Sequence, residues 1–243
     1  MTDLATSSEL YAEALHGSAV RLRYGNGRCV SLGMSRWLGV ARGADLPLLD
    51  RAVGPVLDIG CGPGRLVSAL ALRGVAALGI DLDPAAVRLA RQTGAAVLQR
   101  SVFDPLPGEG RWGSVLLADG NIGIGGDPAR LLRRAAALVR PGGRVVMELS
   151  PPGGAQGCVL VRLETPGGRL GEWFPWARVP SDTVEALCEV TGLRLAESWT
   201  SLDVGGRRRR WFAVVLRPSP SLVSGYRPRE GVDAVPGMNA AAS

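Results

Sequence analysis

The sequence contains no lysine and a single histidine, His16, so two residue types that often carry protons in active sites are almost absent. All 28 basic residues are therefore arginine, and the formal net charge is +6. The cysteines are few and scattered: Cys29, Cys61, Cys158 and Cys188 form no C-x-x-C pair. This spacing argues against a zinc site and a disulfide framework, so we expect no bound metal and free thiols.

Long apolar runs are absent as well. No stretch approaches the roughly 18 apolar residues that a membrane-spanning helix needs. The first residues also lack the basic-then-apolar order of a signal peptide. We therefore expect no membrane partner and a cytoplasmic location. The positive charge is compatible with an anionic acceptor or a nucleic acid but requires neither, and the surplus of arginine, alanine, glycine and proline is typical of genome composition.

The most informative stretch runs from Val56 to Leu66 and reads VLDIGCGPGRL. A short apolar strand is followed by a glycine-rich turn and the start of a helix. Glycines permit positive φ and let a ligand approach the backbone closely. The start of the helix presents unpaired N–H groups and the positive end of the helix dipole. This arrangement predicts a site for a nucleotide-like ligand.

The spacing of the glycines indicates which ligand. A dinucleotide site has the pattern G-x-G-x-x-G. Gly60 and Gly62 fit it, but the third position is Arg65, and the glycine comes one residue early, at Gly64. Asp58 stands two residues before the first glycine. The resulting D-x-G-x-G-x-G pattern resembles motif I of the class I (Rossmann-like) S-adenosylmethionine (SAM) dependent methyltransferases.

The order of the remaining elements agrees with this resemblance. Strands alternating with helices are predicted over 56–59, 76–80, 96–98, 114–118 and 144–149. Apolar strands that are each followed by a helix imply a parallel sheet covered on both faces. A final antiparallel pair over 195–202 and 211–216 brings the number of strands to seven. We therefore predict an α/β fold with a doubly wound, mostly parallel seven-stranded sheet and one antiparallel strand.

The chain divides into three predicted segments. Residues 1–52 form an N-terminal helical cap, with helices over 7–15 and 46–53 and repeated glycines between them. Residues 53–217 form the SAM-binding methyltransferase domain. After strand five it carries a β-hairpin or lid insertion over 155–180, with arms at 159–164 and 169–174. Residues 218–243 are rich in Pro, Ser, Gly and Ala and are predicted to be a disordered tail.

The resemblance implies a set of contacts to S-adenosyl-L-methionine. Asp58 lies near the amino group of the methionine part, and Asp81 accepts hydrogen bonds from both ribose hydroxyls. Leu82 packs on the adenine and Asp104 accepts from its exocyclic amine, unless Asp104 is a capping residue of its own loop. The complete predicted cofactor-binding set is Asp58, Gly60, Cys61, Gly62, Gly64, Asp81, Leu82, Val102, Phe103, Asp104 and Asp119.

The loop after strand four borders the reacting methyl group in this family. Asp119 and Asn121 are the candidate catalytic residues, and the alternative for both is an Asx-type turn. Methyl transfer mainly requires alignment and exclusion of water, and a base only where the nucleophile loses a proton. Candidate bases are Asp119, Glu148 and His16, although Glu148 also fits a solvated acid at a strand end.

The acceptor remains open at this level. The Asn/Asp-Pro-Pro-Tyr/Phe element that marks methylation of base or glutamine amines is absent, so nucleic acid is not indicated and a small molecule is favoured. An RNA or protein methyltransferase and a non-catalytic SAM-binding protein are the alternatives. Trp173, Phe174 and Trp176 either wall an acceptor pocket or close the core beneath the hairpin. The run from Arg207 to Arg210 is interpreted as a solvated turn, and the sequence does not indicate an oligomeric state.

Overall fold

The computed structural model describes residues 4–154, 156–206 and 208–219 and contains two β-sheets. The elements in chain order are α1 (Ser7–Leu15), β1 (Arg21–Tyr24), β2 (Cys29–Ser31), α2 (Met34–Trp37), α3 (Asp45–Asp50), β3 (Val56–Ile59), α4 (Arg65–Leu72), β4 (Ala77–Asp81), α5 (Pro84–Gln92), β5 (Val97–Gln99), β6 (Trp112–Leu117), α6 (Pro128–Leu138), β7 (Val139–Leu149), β8 (Gly157–Glu164), β9 (Phe174–Arg178), α7 (Val184–Thr191), β10 (Arg194–Leu202) and β11 (Arg209–Leu216). The tail predicted over 218–243 lies outside the described residues from position 220 onward.

The larger sheet has the strand order β10-β11-β7-β6-β3-β4-β5. Strands β3 to β7 are parallel, and β11 runs antiparallel between β7 and β10. The predicted seven-stranded sheet with one antiparallel strand is therefore confirmed. Within the described residues, no helix has the length and apolar character needed to cross a membrane.

Both faces of this sheet are buried, which explains the continuous apolar runs in its strands. Val115 and Val145 pair across neighbouring strands and pack in the core that contains the apolar side of α6. Leu116 and Val146 pair in the same way but pack in the opposite core, with apolar residues of α3 and α4. Successive residues of a strand point to opposite faces, so every position here is covered.

Strand register brings the predicted functional turns to one edge of the sheet. Ile59 and Ile80 are partners in the parallel pair β3–β4, so Gly60 and Asp81 follow at the same level. The carboxyl ends of parallel strands form the edge where α/β proteins bind ligands. On the other side of β3, β6 and β7 end at the same edge, where Leu117 is paired with Met147.

The N-terminal cap is not only helical, which corrects the prediction. The segment between α1 and α2 forms the hairpin β1–β2, β1 pairs with β8, and β8 pairs with β9. The cap and the insertion therefore share one antiparallel sheet with the order β2-β1-β8-β9. Gly25 and Gly27 form the turn of this hairpin, whereas Gly17 follows α1 and Gly33 precedes α2. The strands are only four and three residues long, and β1 meets β8 through contacts such as Leu22 with Leu163, which no local pattern reveals.

The insertion is a hairpin, but its second strand was misplaced by the sequence analysis. We predicted that arm over 169–174, whereas β9 runs from Phe174 to Arg178 and pairs with the start of β8. After the Pro166-Gly167-Gly168 turn, Leu170 makes only isolated bridges, one to Glu164 and one to Leu4. The turn signal was correctly located, but the register depended on where the apolar side chains of β9 could be buried.

Candidate active site

The glycine-rich turn between β3 and α4 has a backbone that only glycine adopts readily. Gly60, Gly62 and Gly64 all have positive φ, with values of 69°, 53° and 83°. A Cβ atom on Gly60 would lie 2.7 Å from Asn121 Nδ2, and one on Gly64 would lie 2.9 Å from the Cβ of Ala95. Both positions therefore exclude side chains, and the turn takes this shape only with glycine there.

Asp81 joins this turn to the end of β4. Its Oδ2 accepts a hydrogen bond from the Gly62 N–H at 2.8 Å, and its Oδ1 accepts from the Asp83 N–H at 2.9 Å. Each carboxylate oxygen can accept a further bond, so two hydroxyl groups of a ligand still have acceptors. The neighbouring Leu82 side chain is 66% exposed, an apolar surface next to the carboxylate. These residues fit the ribose and adenine of S-adenosylmethionine.

Cys61 contributes only its backbone to the turn. Its side chain is buried beneath β4, where a Cβ atom on Gly79 would lie 2.6 Å from Cys61 Sγ. Burial, with smaller contributions from Asp58 and Asp81, raises the pKa of the thiol. The thiol is therefore a packing group that stays protonated.

The segment after β5 contains the other predicted adenine contacts. Val102 is buried, and its carbonyl oxygen accepts from Arg134 Nε at 2.8 Å. Asp104 Oδ2 accepts from the Ser101 N–H at 3.2 Å, as the capping alternative requires. Phe103, Asp104 and Arg134 also line a shallow surface cavity of 370 Å³. The loop is held in place by its own polar groups, and a contact to adenine remains a prediction.

Asp58 is almost completely buried at the base of the turn. Burial raises its pKa from 3.8 to about 7, the nearby Asp81 and Asp45 contribute in the same direction, and Arg65 opposes them. An acid with a raised pKa in the folded state binds more protons there than in the unfolded chain. The free energy of unfolding therefore falls as pH rises between the two pKa values.

We expect Asp58→Asn to remove this loss of stability at neutral pH. The free energy of unfolding of the variant, relative to the wild type, should rise by about 4 kcal/mol between pH 4 and pH 8. Urea unfolding of the ligand-free protein at a series of pH values measures this difference. Equal pH dependence in the two proteins would show that folding does not change the pKa of Asp58.

Asn121 fixes the glycine-rich turn from the opposite side. Its Nδ2 donates to the carbonyl oxygens of Ile59 at 2.8 Å and Gly60 at 2.9 Å. The side-chain amide is thus engaged with the protein backbone. Asn121 holds the start of the turn in position, a contact that the sequence analysis did not anticipate.

Asp119 lies in a group of six charged side chains, which we call the charged cluster. Its members are Arg36, Asp45, Arg65, Asp119, Glu148 and Arg210. Asp119 is the non-glycine residue with positive φ, at 57°, in the described part of the chain. Its Oδ1 accepts from Arg36, its Oδ2 accepts from Arg65 at 2.7 Å, and its N–H donates to Glu148 Oε2 at 2.7 Å.

The deep end of the charged cluster is built around Asp45 of α3. It pairs with Arg65, and its Oδ1 accepts from Arg210 at 2.9 Å. Burial alone would raise the pKa of Asp45, but the charges of the two arginines and their hydrogen bonds hold it below its ordinary value. Glu148 completes this end, accepting from Arg210 at 2.8 and 2.5 Å. Three carboxylates and three guanidinium groups balance one another.

Two interpretations from the sequence are corrected here. Arg210 is buried, although the run from Arg207 to Arg210 was read as a solvated turn; Arg208 and Arg209 are exposed, and position 207 lies outside the described residues. Arg210, Phe212 and Val214 are every second residue of β11 and therefore lie on the same face of the strand. This spacing was the signal that could have predicted a buried Arg210. Glu148 is likewise no solvated acid, because it pairs with Arg210 and its side chain is 14% exposed.

The remaining candidate base, His16, and the aromatic residue Tyr11 both lie at α1 of the cap. His16 is exposed at the end of α1, with Nδ1 2.7 Å from the Ala12 carbonyl oxygen. Tyr11 of the same helix covers the glycine-rich turn, since a Cβ atom on Gly62 would lie 3.4 Å from its hydroxyl oxygen. Burial and the nearby Asp81 raise the pKa of Tyr11. The cap thus reaches the predicted cofactor site through Tyr11.

The aromatic residues of the insertion divide between two roles. A Cβ atom on Gly123, in the loop after β6, would lie 2.5 Å from Trp176 Nε1 and 2.4 Å from the Ala177 carbonyl oxygen. Strand β9 therefore packs directly against the loop that carries Asp119. Trp173 is 41% exposed, with the Arg162 guanidinium over its ring at 4.6 Å. Trp176 is a packing residue of the loop, and Trp173 lies at the surface.

Comparison with known sequences identifies relatives. A family model described as a methyltransferase domain matches residues 40–182, more than half of the chain. The ubiquinone biosynthesis O-methyltransferase of Pseudomonas aeruginosa (strain LESB58) is 36% identical over 101 residues, 38% of this chain and 42% of that protein. The protein of the same name from Vibrio vulnificus (strain YJ016) is 31% identical over 96 residues, 37% and 41% of the two chains. The chain thus spans about two fifths of the length of these curated relatives.

Solved structures show the same architecture at low sequence identity. A SAM-dependent methyltransferase from Bacteroides fragilis, in complex with S-adenosyl-L-homocysteine, has a TM-score of 0.70 and 19% identity and covers 87% of this chain and 94% of its own. The CcbJ methyltransferase of Streptomyces caelestis has a TM-score of 0.54 and 18% identity, with coverage of 71% and 88%. At these identities the likeness concerns the fold.

Proposed function

The chain belongs to the S-adenosylmethionine-dependent methyltransferase family, and from that premise we propose that it transfers the methyl group of S-adenosylmethionine to a small-molecule acceptor. The observation that carries the proposal is the pairing of the glycine-rich turn with Asp81. The Gly62 N–H donates to the Asp81 carboxylate, whose remaining acceptor sites point to a ligand with two adjacent hydroxyls. This arrangement fits a ribose, and the glycine spacing, with Gly64 rather than a glycine at position 65, favours a nucleoside-type methyl donor over a dinucleotide.

The residues proposed to hold the cofactor are those of the turn together with Asp81, Leu82 and the segment from Val102 to Asp104. When bound, S-adenosylmethionine supplies a methyl group on a sulfonium, already activated for direct displacement. The chain's own contribution is alignment and exclusion of water. Tyr11 supports the second role because its side chain covers the turn.

We propose that Asp119 and Asn121 act by positioning. The Asp119 carboxylate is engaged by Arg36, Arg65 and Arg210, so its oxygens are held by the protein itself. Asn121 holds the Gly60 carbonyl oxygen. An acceptor that loses its proton readily, or has a free lone pair, requires no protein base.

A small molecule, methylated at oxygen, is the proposed acceptor class. The names of the curated relatives, ubiquinone biosynthesis O-methyltransferases, support an oxygen nucleophile.

We also propose the division into a cap (1–52), a cofactor domain (53–217) with a lid insertion (155–180) and a tail (218–243). A cytoplasmic location is proposed as well, consistent with the four free cysteines.

Transfer of a labelled methyl group tests the proposed acceptor class. Purified protein and S-adenosylmethionine with a tritiated methyl group are incubated with a bacterial extract, split by ultrafiltration into small molecules and macromolecules. After chromatography has removed unreacted S-adenosylmethionine from the small-molecule fraction, we expect a labelled product there with the wild type and none above background with Asp81→Ala. Label in RNA or protein would favour those acceptors. Binding of S-adenosylhomocysteine without any transfer would favour a non-catalytic SAM-binding protein.

A further inference from the structure

Exposure within the charged cluster increases in one direction. The side chains of Asp45, Arg65 and Arg210 are 1–3% exposed, whereas those of Asp119 and Glu148 are 16% and 14% exposed. The Arg36 side chain is 32% exposed. Arg36, on α2 of the cap, is therefore the cation through which the cluster meets solvent.

Arg36 is also the cation that the cluster can release most easily. It pairs with Asp119 and lies 3.9 Å from Glu148. Asp119 has Arg65 at 2.7 Å and Arg210 at 3.3 Å as further partners, and Glu148 has Arg210 at 2.5 Å. Movement of Arg36 toward a ligand would therefore leave no buried carboxylate without a guanidinium partner. Removing the partner of a buried charge is otherwise strongly unfavourable.

Arg36 remains charged in these surroundings. Partial burial and the nearby Arg210 and Arg65 lower the pKa of Arg36 to about 10, while Glu148 and Asp45 act in the opposite direction. The guanidinium is therefore still able to pair with an anion at neutral pH. An anionic acceptor would also carry a negative charge, which is attracted to the positive sulfonium of the methyl donor.

The position of Arg36 suits contact with an acceptor. Its partner Asp119 is two residues from Asn121, which holds the Gly60 carbonyl oxygen. Arg36 thus lies on the cap beside the loop that borders the glycine-rich turn. A guanidinium binds a planar carboxylate through two parallel hydrogen bonds, which fixes orientation as well as affinity.

We propose that Arg36 binds a carboxylate of the small-molecule acceptor, exchanging part of its contact with Asp119 for the ligand and orienting it. The inference rests on the proposed function, since it assigns the acceptor end of the same site. It makes the protein selective for acceptors that carry a carboxylate near the methylated atom.

Benzoate and benzamide, which differ in charge and are similar in shape, are suitable probes. Each is titrated into wild-type protein with and without saturating S-adenosylhomocysteine, and binding is followed by tryptophan fluorescence and calorimetry. We expect saturable benzoate binding in the millimolar range and weaker benzamide binding. Arg36→Gln should weaken benzoate binding by about tenfold or more, and Arg36→Lys by less, because lysine retains the charge but not the planar fork.

Arg28→Gln is the matched control, since Arg28 is an exposed arginine of the same cap in the β1–β2 turn. Its benzoate affinity should equal that of the wild type. Near-ultraviolet circular dichroism and unchanged S-adenosylhomocysteine affinity establish that Arg36→Gln is folded. Equal benzoate affinity in Arg36→Gln and wild type, equal affinity for benzamide, or no saturable benzoate binding would each overturn the proposal. If the wild type does not bind S-adenosylhomocysteine, that result would instead contradict the proposed function.

Discussion

Replacing Asp81 with alanine is expected to weaken S-adenosylhomocysteine binding by about 100-fold or more, since it removes two charge-assisted hydrogen bonds to the ribose. The same change removes the acceptors of the Gly62 and Asp83 N–H groups. The glycine-rich turn then loses a contact that ties it to β4. Both consequences act on the cofactor site and leave the core of the sheet unchanged.

Isothermal titration of the wild type, Asp81→Ala and Asp81→Asn measures this effect. The asparagine variant keeps one oxygen acceptor but loses the charge, so we expect an affinity between the other two. Far-ultraviolet circular dichroism checks that each variant is folded. Wild-type affinity in Asp81→Ala would mean that the ligand does not use this carboxylate, and the assignment of the turn to S-adenosylmethionine would then lose its main support.

Replacing Asp45 with alanine is expected to lower the free energy of unfolding by about 3–5 kcal/mol, because it leaves excess positive charge in a buried site. Arg65 and Arg210 both pair with Asp45, and their side chains are each 3% exposed. Neither guanidinium has access to water that would replace the lost carboxylate. The charged cluster also links α3, α4 and β11, so its disruption affects the cap and the sheet together.

Asp50 provides a control in the same helix. Its side chain is 63% exposed and pairs with Arg73 at 2.8 Å, so Asp50→Ala should change the free energy of unfolding by about 0.5 kcal/mol or less. Urea unfolding of both variants at neutral pH makes the comparison. Equal stability of the two variants would show that the charged cluster tolerates an unbalanced charge. Burial of its members would then not raise the free-energy cost of removing one of them.

Local sequence patterns were sufficient for the elements whose signals lie within a few residues. The strand over 56–59 and the helix over 7–15 begin and end where predicted. Asp83 caps α5 through the Ala85 and Ala86 N–H groups and Pro84 follows it, so the start of this helix depends on two adjacent residues. The D-x-G-x-G-x-G pattern located the glycine-rich turn because positive φ is a property of individual residues.

The cap and the charged cluster were decided by tertiary structure. Arg210 reaches Asp45 across 165 residues, because β11 is placed beside β7 and next to the cap. The two-stranded hairpin of the cap gains a third strand only because β1 pairs with β8, where Leu22 meets Leu163 from 141 residues later in the chain. A buried charge is acceptable only where opposite charges meet it, and a sequence pattern does not say which charges will meet. The glycine-rich turn is therefore a local property of this sequence, whereas the environment of Asp119, and with it the proposed acceptor contact of Arg36, depends on the complete fold.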